Sequence, residues 1–430
     1  MNFNILTLGC KVNQYESQAM REDLLQNGYI LSEDKEHADI TVINTCTVTA
    51  VSDAKNRKLL SRVRRENPNG IIVLTGCMPQ AFPDEMDAFS DCDIILGNKE
   101  RKELIPAIEQ FLGKHQQLIN IPSHQNKYAD FENLTVSSFG EHTRAFIKIE
   151  DGCNRFCSYC IIPYARGRVR SKPLEALKAE LEQVALNGYR EVVLVGINLS
   201  AYGLHEDYDL ADAVEAACAV EGIERVRLGS LEPEEMSDAL IASLAAQPKF
   251  CPQFHLSLQS GCDKTLKAMN RHYDSAQYAE IVSRLRAAFD NASMTTDVMV
   301  GFAGESEEDF KASLSFVKSI GFAKAHVFPY SQRKGTKAAD APNQVFPQEK
   351  ERRAKVMGEL CEQSRRVFLQ SQTGLCEDVL FERLRHGYLE GYTKNYTPVH
   401  VASTDTTLCG EIRRVKITAA KDDFCEAELL

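Results

Sequence analysis

The stretch Asp151–Cys160, DGCNRFCSYC, decides how the rest of this chain is interpreted. Cys153, Cys157 and Cys160 place three thiols in one short loop, separated by three residues and then by two. Thiolates are soft ligands that select iron–sulfur clusters, copper(I) or zinc. Three cysteines do not complete a four-thiolate site, so a cubane cluster held by them has one iron open to a small molecule. A zinc site or a redox-active trio of cysteines is the alternative.

The loop follows a short predicted strand and precedes a repeating pattern of strands and helices. In an α/β barrel the carboxyl ends of the strands form the active-site face. Six strands are fewer than the eight of a closed barrel, so we predict a partial (β/α)6 barrel within residues 141–370. The six predicted strands are Ala145–Glu150, Glu191–Val195, Arg225–Gly229, Phe254–Leu258, Met294–Val300 and Ala325–Tyr330.

The spacing C-x3-C-x2-C, with Tyr159 before the last cysteine, resembles the signature of the radical S-adenosylmethionine (SAM) enzymes. The resemblance implies that the open iron binds SAM and that an electron from the cluster cleaves it to a 5′-deoxyadenosyl radical. SAM needs partners for its ribose hydroxyls, its methionine part and its adenine. The strand ends offer these as candidate SAM contacts, although a polar residue at a strand end is often only a cap: Gly196, Asn198, Glu232, Gln259, Asp297 and Gly301.

Residues 1–125 form a separate predicted unit in which strands alternate with helices, which indicates a parallel sheet. Cys10, Cys46 and Cys77 each follow one of its first three strands. The carboxyl ends of parallel strands meet at one edge, where open α/β sheets bind ligands. We therefore expect a second three-thiolate site there. The alternative is that these cysteines are small buried hydrophobic residues.

Two basic segments are candidate RNA contacts. Lys55, Lys58, Arg62 and Arg65 fall on one face of a predicted helix, Ser52–Glu66, and this stripe could contact phosphates. Arg166 and Arg168 follow the three-cysteine loop and could position an anionic substrate. A solvated helix face and a solvated loop are the alternatives. We interpret residues 113–140 as a linker.

Residues 371–430 are predicted to form a small β-barrel, because five short strands are separated by turn residues. The segment GYTKNYT interleaves aromatic and basic side chains, a mixture that suits RNA through stacking and phosphate contacts. Its candidate contacts are Tyr392, Lys394 and Tyr396. The alternative is a barrel that only packs on the other units.

Composition restricts the remaining classes of function. The chain has 430 residues and a formal net charge of −11, which argues against broad, non-specific nucleic-acid binding. No apolar run approaches the roughly 20 residues that cross a membrane. The sequence shows no signal peptide, and fourteen cysteines suit a reducing cytoplasm with clusters better than a disulfide framework. We expect a cytoplasmic α/β protein with no membrane partner.

Over nearly its whole length the chain resembles the radical SAM methylthiotransferases, which have an N-terminal methylthiotransferase domain, a radical SAM domain and a C-terminal TRAM domain. The branch acting on N6-threonylcarbamoyladenosine in tRNA is favoured by Lys11 and Val12 after Cys10. The motifs that carry the resemblance are TLGCKVNQYES (7–17), INTCTV (43–48), LTGCMPQ (74–80), DGCNRFCSYCIIPYARGRVRS (151–171), LQSGCDKTLKAMNR (258–271), TDVMVGFAGE (296–305), PYSQRKGT (329–336) and GYTKNYT (391–397).

The resemblance implies an activity, its cofactors and its partners. Cys153, Cys157 and Cys160 would hold the catalytic 4Fe–4S cluster that cleaves SAM, and Cys10, Cys46 and Cys77 an auxiliary 4Fe–4S cluster that carries the sulfur. One SAM would methylate that sulfur and a second would give the radical that activates C2 of the adenine next to the anticodon. The implied partners are tRNA, a sulfur donor and an electron donor such as flavodoxin or ferredoxin. The alternatives are methylthiolation of a ribosomal-protein aspartate and a non-catalytic, cluster-bearing RNA-binding protein.

Overall fold

The computed structural model of this chain describes residues 1–33, 37–99, 101–124, 130–140 and 143–430, with only the backbone of residues 87 and 88. The predicted domain limits at residues 125 and 141 lie outside the described residues. No helix in the described part of the chain is long and apolar enough to cross a membrane.

The N-terminal unit is a parallel sheet of six strands in the order β2-β1-β3-β4-β5-β6. Its central strands are apolar and buried on both faces, as expected for a parallel sheet covered by helices. The elements are β1 (Asn2–Thr7), α1 (Lys11–Gln26), β2 (Ile30–Leu31), β3 (Ile40–Thr45), α2 (Ala50–Glu66), β4 (Ile71–Gly76), α3 (Cys77–Ala81), β5 (Ile94–Leu96), α4 (Leu104–Lys114) and β6 (Leu118–Asn120).

Two of these strands differ from the sequence prediction. Strand β6 lies in the segment that the sequence indicates as a linker, and β2 lies where no strand is predicted. Both are only two or three residues long and mostly exposed at the sheet edges, so they lack the apolar run that identifies a strand.

The middle unit contains six main parallel strands, which confirms the predicted partial barrel. Together with the two-residue strand β12 they form a three-stranded sheet, β11-β10-β7, and a four-stranded sheet, β12-β13-β14-β15, linked by a parallel bridge between Val226 and Phe250. The strands are β7 (Arg144–Lys148), β8 (Glu150–Asp151), β9 (Arg170–Ser171), β10 (Glu191–Val195), β11 (Arg225–Leu228), β12 (Ser230–Leu231), β13 (Gln253–Leu256), β14 (Ser293–Val300) and β15 (Lys324–Pro329).

Helices connect these strands, and several begin at well-capped residues. Asp209, Asp274 and Ser306 each form a capping box that satisfies the first backbone N–H groups of a helix. The helices are α5 (Ile162–Arg166), α6 (Leu174–Leu186), α7 (Leu210–Ala219), α8 (Asp238–Ala245), α9 (Asp263–Ala268), α10 (Ser275–Ala288) and α11 (Glu307–Ile320).

A long helix, α12 (Pro347–Ser371), leads to a closed five-stranded barrel. Strand β18 pairs with β20 in parallel, and the other pairs are antiparallel. This barrel confirms the predicted β-rich end of the chain. Its strands are β16 (Cys376–Arg385), β17 (Tyr388–Thr393), β18 (Pro398–Ala402), β19 (Ile412–Ala420) and β20 (Cys425–Leu429).

The partial barrel contacts both neighbouring units. Helix α1 places Val12, Tyr15 and Ala19 in the same apolar core as the barrel strands. The C-terminal barrel instead meets the amino ends of the strands, where Arg225 donates to the backbone oxygen of Tyr392. The N-terminal unit therefore packs against the side of the partial barrel, and the C-terminal barrel covers its amino end.

Candidate active site

The three-cysteine loop follows β8 and is held by backbone geometry. Gly152 has φ +88°, and a Cβ at this position would lie 2.0 Å from the backbone oxygen of Arg168, so glycine is required. Cys153 N–H donates to the Gly167 oxygen at 3.0 Å. Burial and, to a smaller extent, the neighbouring thiols raise the pKa of the Cys153 and Cys160 thiols to about 12. Metal ions coordinated by these sulfur atoms would stabilise the thiolates and offset the free-energy cost of ionising the buried thiols. The loop therefore fits a metal cluster.

An ion pair lies beside this loop, and only one of its two residues was predicted from the sequence. Arg271 Nη1 is 3.4 Å from Cys157 Sγ, and the same guanidinium forms an ion pair with Glu232. Both side chains are largely buried. Glu232 was predicted from its strand-end position, whereas Arg271 was missed, although it closes the motif LQSGCDKTLKAMNR.

Glu150 is a second residue that the sequence analysis missed, and it joins two predicted SAM contacts. The Asn198 backbone N–H donates to Glu150 Oε2 at 2.7 Å, and a Cβ at Gly196 would lie 2.7 Å from that oxygen. Burial raises the pKa of Glu150 to about 8. Glu150 Oε1 and Asn198 Oδ1 are buried without a hydrogen-bond partner among the described residues. These two oxygen atoms fit a small polar cofactor, because unpaired buried polar atoms are costly.

The other predicted SAM contacts have different surroundings. Gln259 adopts φ +63°, and its N–H donates to the Asp297 oxygen at 2.9 Å, so it turns the chain beside β14. Asp297 Oδ2 lies 3.5 Å from His255 Nε2. Gly301 is buried, and its N–H donates to Glu305 Oε1 at 2.9 Å. Gly301 thus has a backbone role here, and its contact with SAM stays a prediction.

The N-terminal cysteines lie at the carboxyl ends of the adjacent strands β1, β3 and β4. A Cβ at Gly9 would lie only 2.7 Å from Cys46 Cβ, so glycine lets the first strand end approach the second. Burial raises the pKa of Cys77 to about 11, against the lowering effect of Arg166 and with a smaller contribution from the thiols of Cys10 and Cys46. These thiols lie close together and must lose their protons before they can bind a metal. Such a group of cysteines fits an iron–sulfur cluster.

No three His, Cys, Asp or Glu side chains in the described part of the chain are placed to hold a single metal ion. The thiolates of a cubane cluster bind separate iron atoms and stand farther apart than the ligands of one ion.

A cavity of about 700 Å³ joins all three units of the molecule. Cys10 and Lys11 line it from the N-terminal unit, and Tyr396 lines it from the C-terminal barrel. Its barrel wall contains polar side chains and strand ends, among them Gly196, Arg227, His255, Asp297 and His326. One cysteine of the N-terminal set thus opens onto the barrel interior.

The structure contradicts Arg166 as an RNA contact. Its side chain is 1% exposed, its Nη1 lies 2.7 Å from Glu16 Oε1 and its Nε lies 3.2 Å from Cys77 Sγ. Arg166 Nη1 also lies 3.1 Å from Asp151 Oδ1, two residues before Cys153. Its partner Glu16 is far away in the sequence, so the residues next to Arg166 do not indicate that its side chain is buried.

The neighbouring Arg168 is exposed, and its guanidinium lies 4.7 Å from the centre of the Phe156 ring. Phe156 also contacts Tyr164, which is 50% exposed. This exposed group of one cation and two rings suits base stacking. The sequence analysis missed the two aromatic residues, although both lie in the quoted motif.

The predicted basic stripe on α2 is exposed along its length. Lys55, Lys58, Arg62 and Arg65 are all exposed, and Arg62 forms only a long ion pair of 3.6 Å with Glu66. The stripe is therefore available to a partner, and its contact with RNA stays a prediction.

The GYTKNYT segment packs between the two barrels. The Tyr392 and Tyr396 rings stack at 4.4 Å, and Arg144 lies over both. Lys394 Nζ donates to the Pro248 oxygen at 2.8 Å. These contacts hold the C-terminal barrel against the partial barrel, as the packing alternative expects; Tyr396 also lines the cavity, and the contact of this segment with RNA stays a prediction.

Comparison with known proteins agrees with this architecture. Residues 2–97 match the model of the "Uncharacterized protein family UPF0004", and residues 147–317 match the radical SAM superfamily. A solved radical SAM methyltransferase, TsrM from Kitasatospora setae, with cobalamin and a [4Fe–4S] cluster bound, has a TM-score of 0.60 at 12% identity. The alignment covers 79% of this chain and 74% of TsrM, which shows a shared fold.

Two curated relatives cover nearly the whole chain. The threonylcarbamoyladenosine tRNA methylthiotransferase MtaB of Bacillus subtilis is 36% identical over 431 residues, 99% of this chain and 95% of that protein. The tRNA-2-methylthio-N(6)-dimethylallyladenosine synthase of Clostridium botulinum is 34% identical over 97% of this chain and 94% of its own length.

The fold, the three-cysteine loop and these matches define a radical SAM enzyme. Within that class, the chain belongs to the MtaB-like methylthiotransferases. The two alternatives, a ribosomal-protein enzyme and a non-catalytic protein, are not favoured by these relatives.

Proposed function

We propose that this enzyme inserts a methylthio group at C2 of N6-threonylcarbamoyladenosine next to the anticodon of tRNA, with two 4Fe–4S clusters and two SAM molecules. The observation that carries the proposal is the cavity in which Cys10 meets the barrel wall. Cys10 lines this cavity together with Gly196 and Asp297, two of the predicted SAM contacts, so a sulfur carried at Cys10 and a radical derived from SAM would meet one substrate there. The relatives named for this nucleoside support the choice of substrate.

Six cysteines would hold the two clusters. Cys153, Cys157 and Cys160 would hold the first, and Cys10, Cys46 and Cys77 the second. When bound, the clusters and SAM supply a carbon-centred radical and a sulfur source, which an aromatic C–H bond without useful acidity requires.

The surrounding side chains would orient the reactants and exclude water. Glu150 and Asn198 present unpaired buried oxygen atoms that can accept hydrogen bonds, and Arg271 with Glu232 forms a charged wall beside Cys157. The raised pKa of Glu150, about 8, leaves its carboxyl group largely protonated at neutral pH, so that it can also donate a hydrogen bond. Of the other predicted contacts, Asp297 lies in the cavity, whereas Gln259 and Gly301 shape the backbone beside it.

We assign tRNA binding to exposed cations outside the cavity. Lys55, Lys58, Arg62 and Arg65 line one face of α2, whose amino end lies just after Cys46. Arg168 and the rings of Phe156 and Tyr164 lie beside the other cysteine loop. A few clustered phosphate contacts are compatible with the net charge of −11. A bound tRNA experiences the electrostatic potential of the surface it contacts, which can be positive although the net charge of the protein is negative. We also propose a cytoplasmic location, a sulfur donor and an electron donor such as flavodoxin or ferredoxin.

Nucleoside mass spectrometry of tRNA from cells with and without this gene tests the proposal. We expect the methylthio form of threonylcarbamoyladenosine to disappear and the parent nucleoside to accumulate in cells that lack the gene. Identical nucleosides in both strains would refute the assignment.

Complementation with variants tests the second cluster. Cys10→Ser should fail to restore the product and should lose about half of the bound iron, because one of two clusters lacks a ligand. Cys376→Ser is the matched control, since Cys376 is also exposed but belongs to neither set. Restoration of the product by Cys10→Ser would rule out the auxiliary cluster.

A further inference from the structure

Two lysines of the cavity, Lys11 and Lys324, form no ion pair among the described residues. Lys11 directly follows Cys10 at the start of α1, lines the cavity and is exposed. Its ammonium group lies 5.5 Å from the centre of the Phe146 ring. Among the described residues this ammonium group forms no hydrogen bond or ion pair, and the charged groups that act on it are Arg144, Arg227 and, with the opposite sign, Glu191. The charge next to Cys10 is therefore available to a ligand.

The other cationic groups of the cavity are differently placed. Arg227 Nε lies 3.0 Å from Glu191 Oε1, and Arg227 Nη1 donates to the backbone oxygen of Lys394 at 2.8 Å. His255 faces Asp297 at 3.5 Å. Lys324 is exposed at the amino end of β15. Of the two lysines without an ion pair, Lys11 is the one that directly follows a cysteine of the N-terminal set.

The wall around Lys11 combines this charge with apolar surface. Val12, Val195 and Leu228 line the same cavity. An ammonium group against an aromatic ring, flanked by aliphatic side chains, suits a ligand group with a short carbon skeleton and one carboxylate. Charge-assisted hydrogen bonds to carboxylates are about twice as strong as neutral ones.

We propose that Lys11 binds the carboxylate of the threonylcarbamoyl group and thereby selects an adenosine whose N6 substituent is anionic. This inference rests on the proposed function and deepens it. The ureido N–H of that substituent can hydrogen-bond to N1 of the purine, which directs the threonyl group toward the C2 edge of the ring. A base whose C2 faces Cys10 then presents its carboxylate to the next residue, Lys11. A dimethylallyl substituent is uncharged and therefore cannot form an ion pair with the Lys11 ammonium group.

The test compares two RNA substrates on one holoenzyme. An anticodon stem-loop carrying N6-threonylcarbamoyladenosine is compared with the same RNA whose threonyl carboxylate is a methyl ester. We expect the iron-loaded wild-type enzyme to favour the acid over the ester about tenfold in binding and in kcat/KM, with the loss mainly in KM, because one charged hydrogen bond disappears. Equal binding of both RNAs would overturn the proposal without any change to the protein.

Variants then assign the preference to one side chain. Lys11→Met should bind acid and ester alike, at the level of the ester, whereas Lys11→Arg should keep the preference. Lys102→Met is the matched control, since Lys102 is an exposed lysine outside the cavity. A preference that persists in Lys11→Met, or that is lost in Lys324→Met instead, would overturn the proposal.

The outcome also separates this inference from the proposed function. If the wild-type holoenzyme does not methylthiolate the threonylcarbamoyl substrate, the proposed function fails. If it does so but treats acid and ester alike, only the role of Lys11 fails. Iron content and the absorption spectrum of each variant show whether the neighbouring Cys10 still holds its cluster.

Discussion

The partial barrel holds its two neighbours through two buried charged contacts that are built differently. At the first contact, Glu16 of the N-terminal unit accepts from Lys148 and Arg166 of the barrel, each at 2.7 Å. At the second, Glu191 of the barrel is surrounded by three barrel arginines, with nitrogen–oxygen distances of 3.0 to 3.9 Å; these are Arg144, Arg225 and Arg227.

The two contacts differ in the acceptors to which their arginines donate the remaining N–H groups. Arg166 of the first contact donates to Cys77 Sγ and to Asp151, so one guanidinium connects the two cysteine sets. Arg225 of the second contact donates to the backbone oxygens of Tyr392 and Asp378 in the C-terminal barrel. The first contact therefore touches a cysteine directly, whereas the second holds the two barrels together and borders the cavity that Cys10 lines.

The largest expected effect comes from removing the cation of the first contact. Arg166→Met leaves Glu16 and Asp151 buried with fewer cations, so we expect a loss of about 3–5 kcal/mol in the free energy of unfolding. Urea unfolding of the anaerobically purified protein measures it. Arg168→Met is the matched control and should stay within about 0.5 kcal/mol, because Arg168 is exposed. Equal losses in both variants would remove the distinction between these neighbours.

The second contact should respond less strongly and without an effect on iron content. In Arg225→Met, Glu191 keeps two other arginines, so we expect a loss of about 2–3 kcal/mol. Hydrogen exchange should accelerate in residues 391–397, while iron stays bound. Arg413→Met, at a half-exposed arginine of the C-terminal barrel, is the control. Iron loss in Arg225→Met would show that the two contacts are not independent.

Acid should weaken the first contact over a defined range of pH. Burial opposes ionisation of Glu16, but Arg101, Arg166 and Lys148 outweigh it and lower its pKa to about 2. A carboxyl group with a lowered pKa stabilises the fold above the unfolded value of 4.5, and this stability is lost as the pH falls toward 2.

Thermal unfolding at pH values between about 5 and 2.5 measures this loss. The wild-type protein should lose stability steeply over the range, and Glu16→Gln should show a flatter dependence from a lower starting value. Glu215→Gln, at an exposed position, should follow the wild-type curve. A Glu16→Gln curve parallel to that of the wild type would contradict the lowered pKa.

The smallest expected effect concerns one hydroxyl group of the second contact. Arg144 Nη1 donates to Tyr396 Oη at 2.8 Å, so Tyr396→Phe should cost about 1 kcal/mol and leave the ring stacking intact. Chemical unfolding measures it against Tyr388→Phe, whose ring is 41% exposed. A cost as large as that of Arg225→Met would show that the hydroxyl, and not the arginine, dominates the contact.

Much of the fold follows from local sequence patterns. Apolar runs such as Glu191–Val195 predict strands correctly, because burial between helices requires continuous apolar residues. The spacing of Lys55 and Arg62 predicts an exposed helix face for the same local reason. The short edge strands β2 and β6 escaped prediction, since two or three mostly exposed residues carry no pattern.

The sequence by itself determined the family, because its motifs are residue types at fixed short spacings, and it predicted the order of the three units and the two sets of cysteines, one set from such a spacing and the other from strand-end positions. Only the tertiary structure decided which charged residues face solvent and which face one another. Arg166 and Arg168 look alike in the sequence, yet one is buried against Glu16 and Cys77 and the other is exposed. The physical reason is that a buried charge is stabilised by partners brought together only when the chain folds.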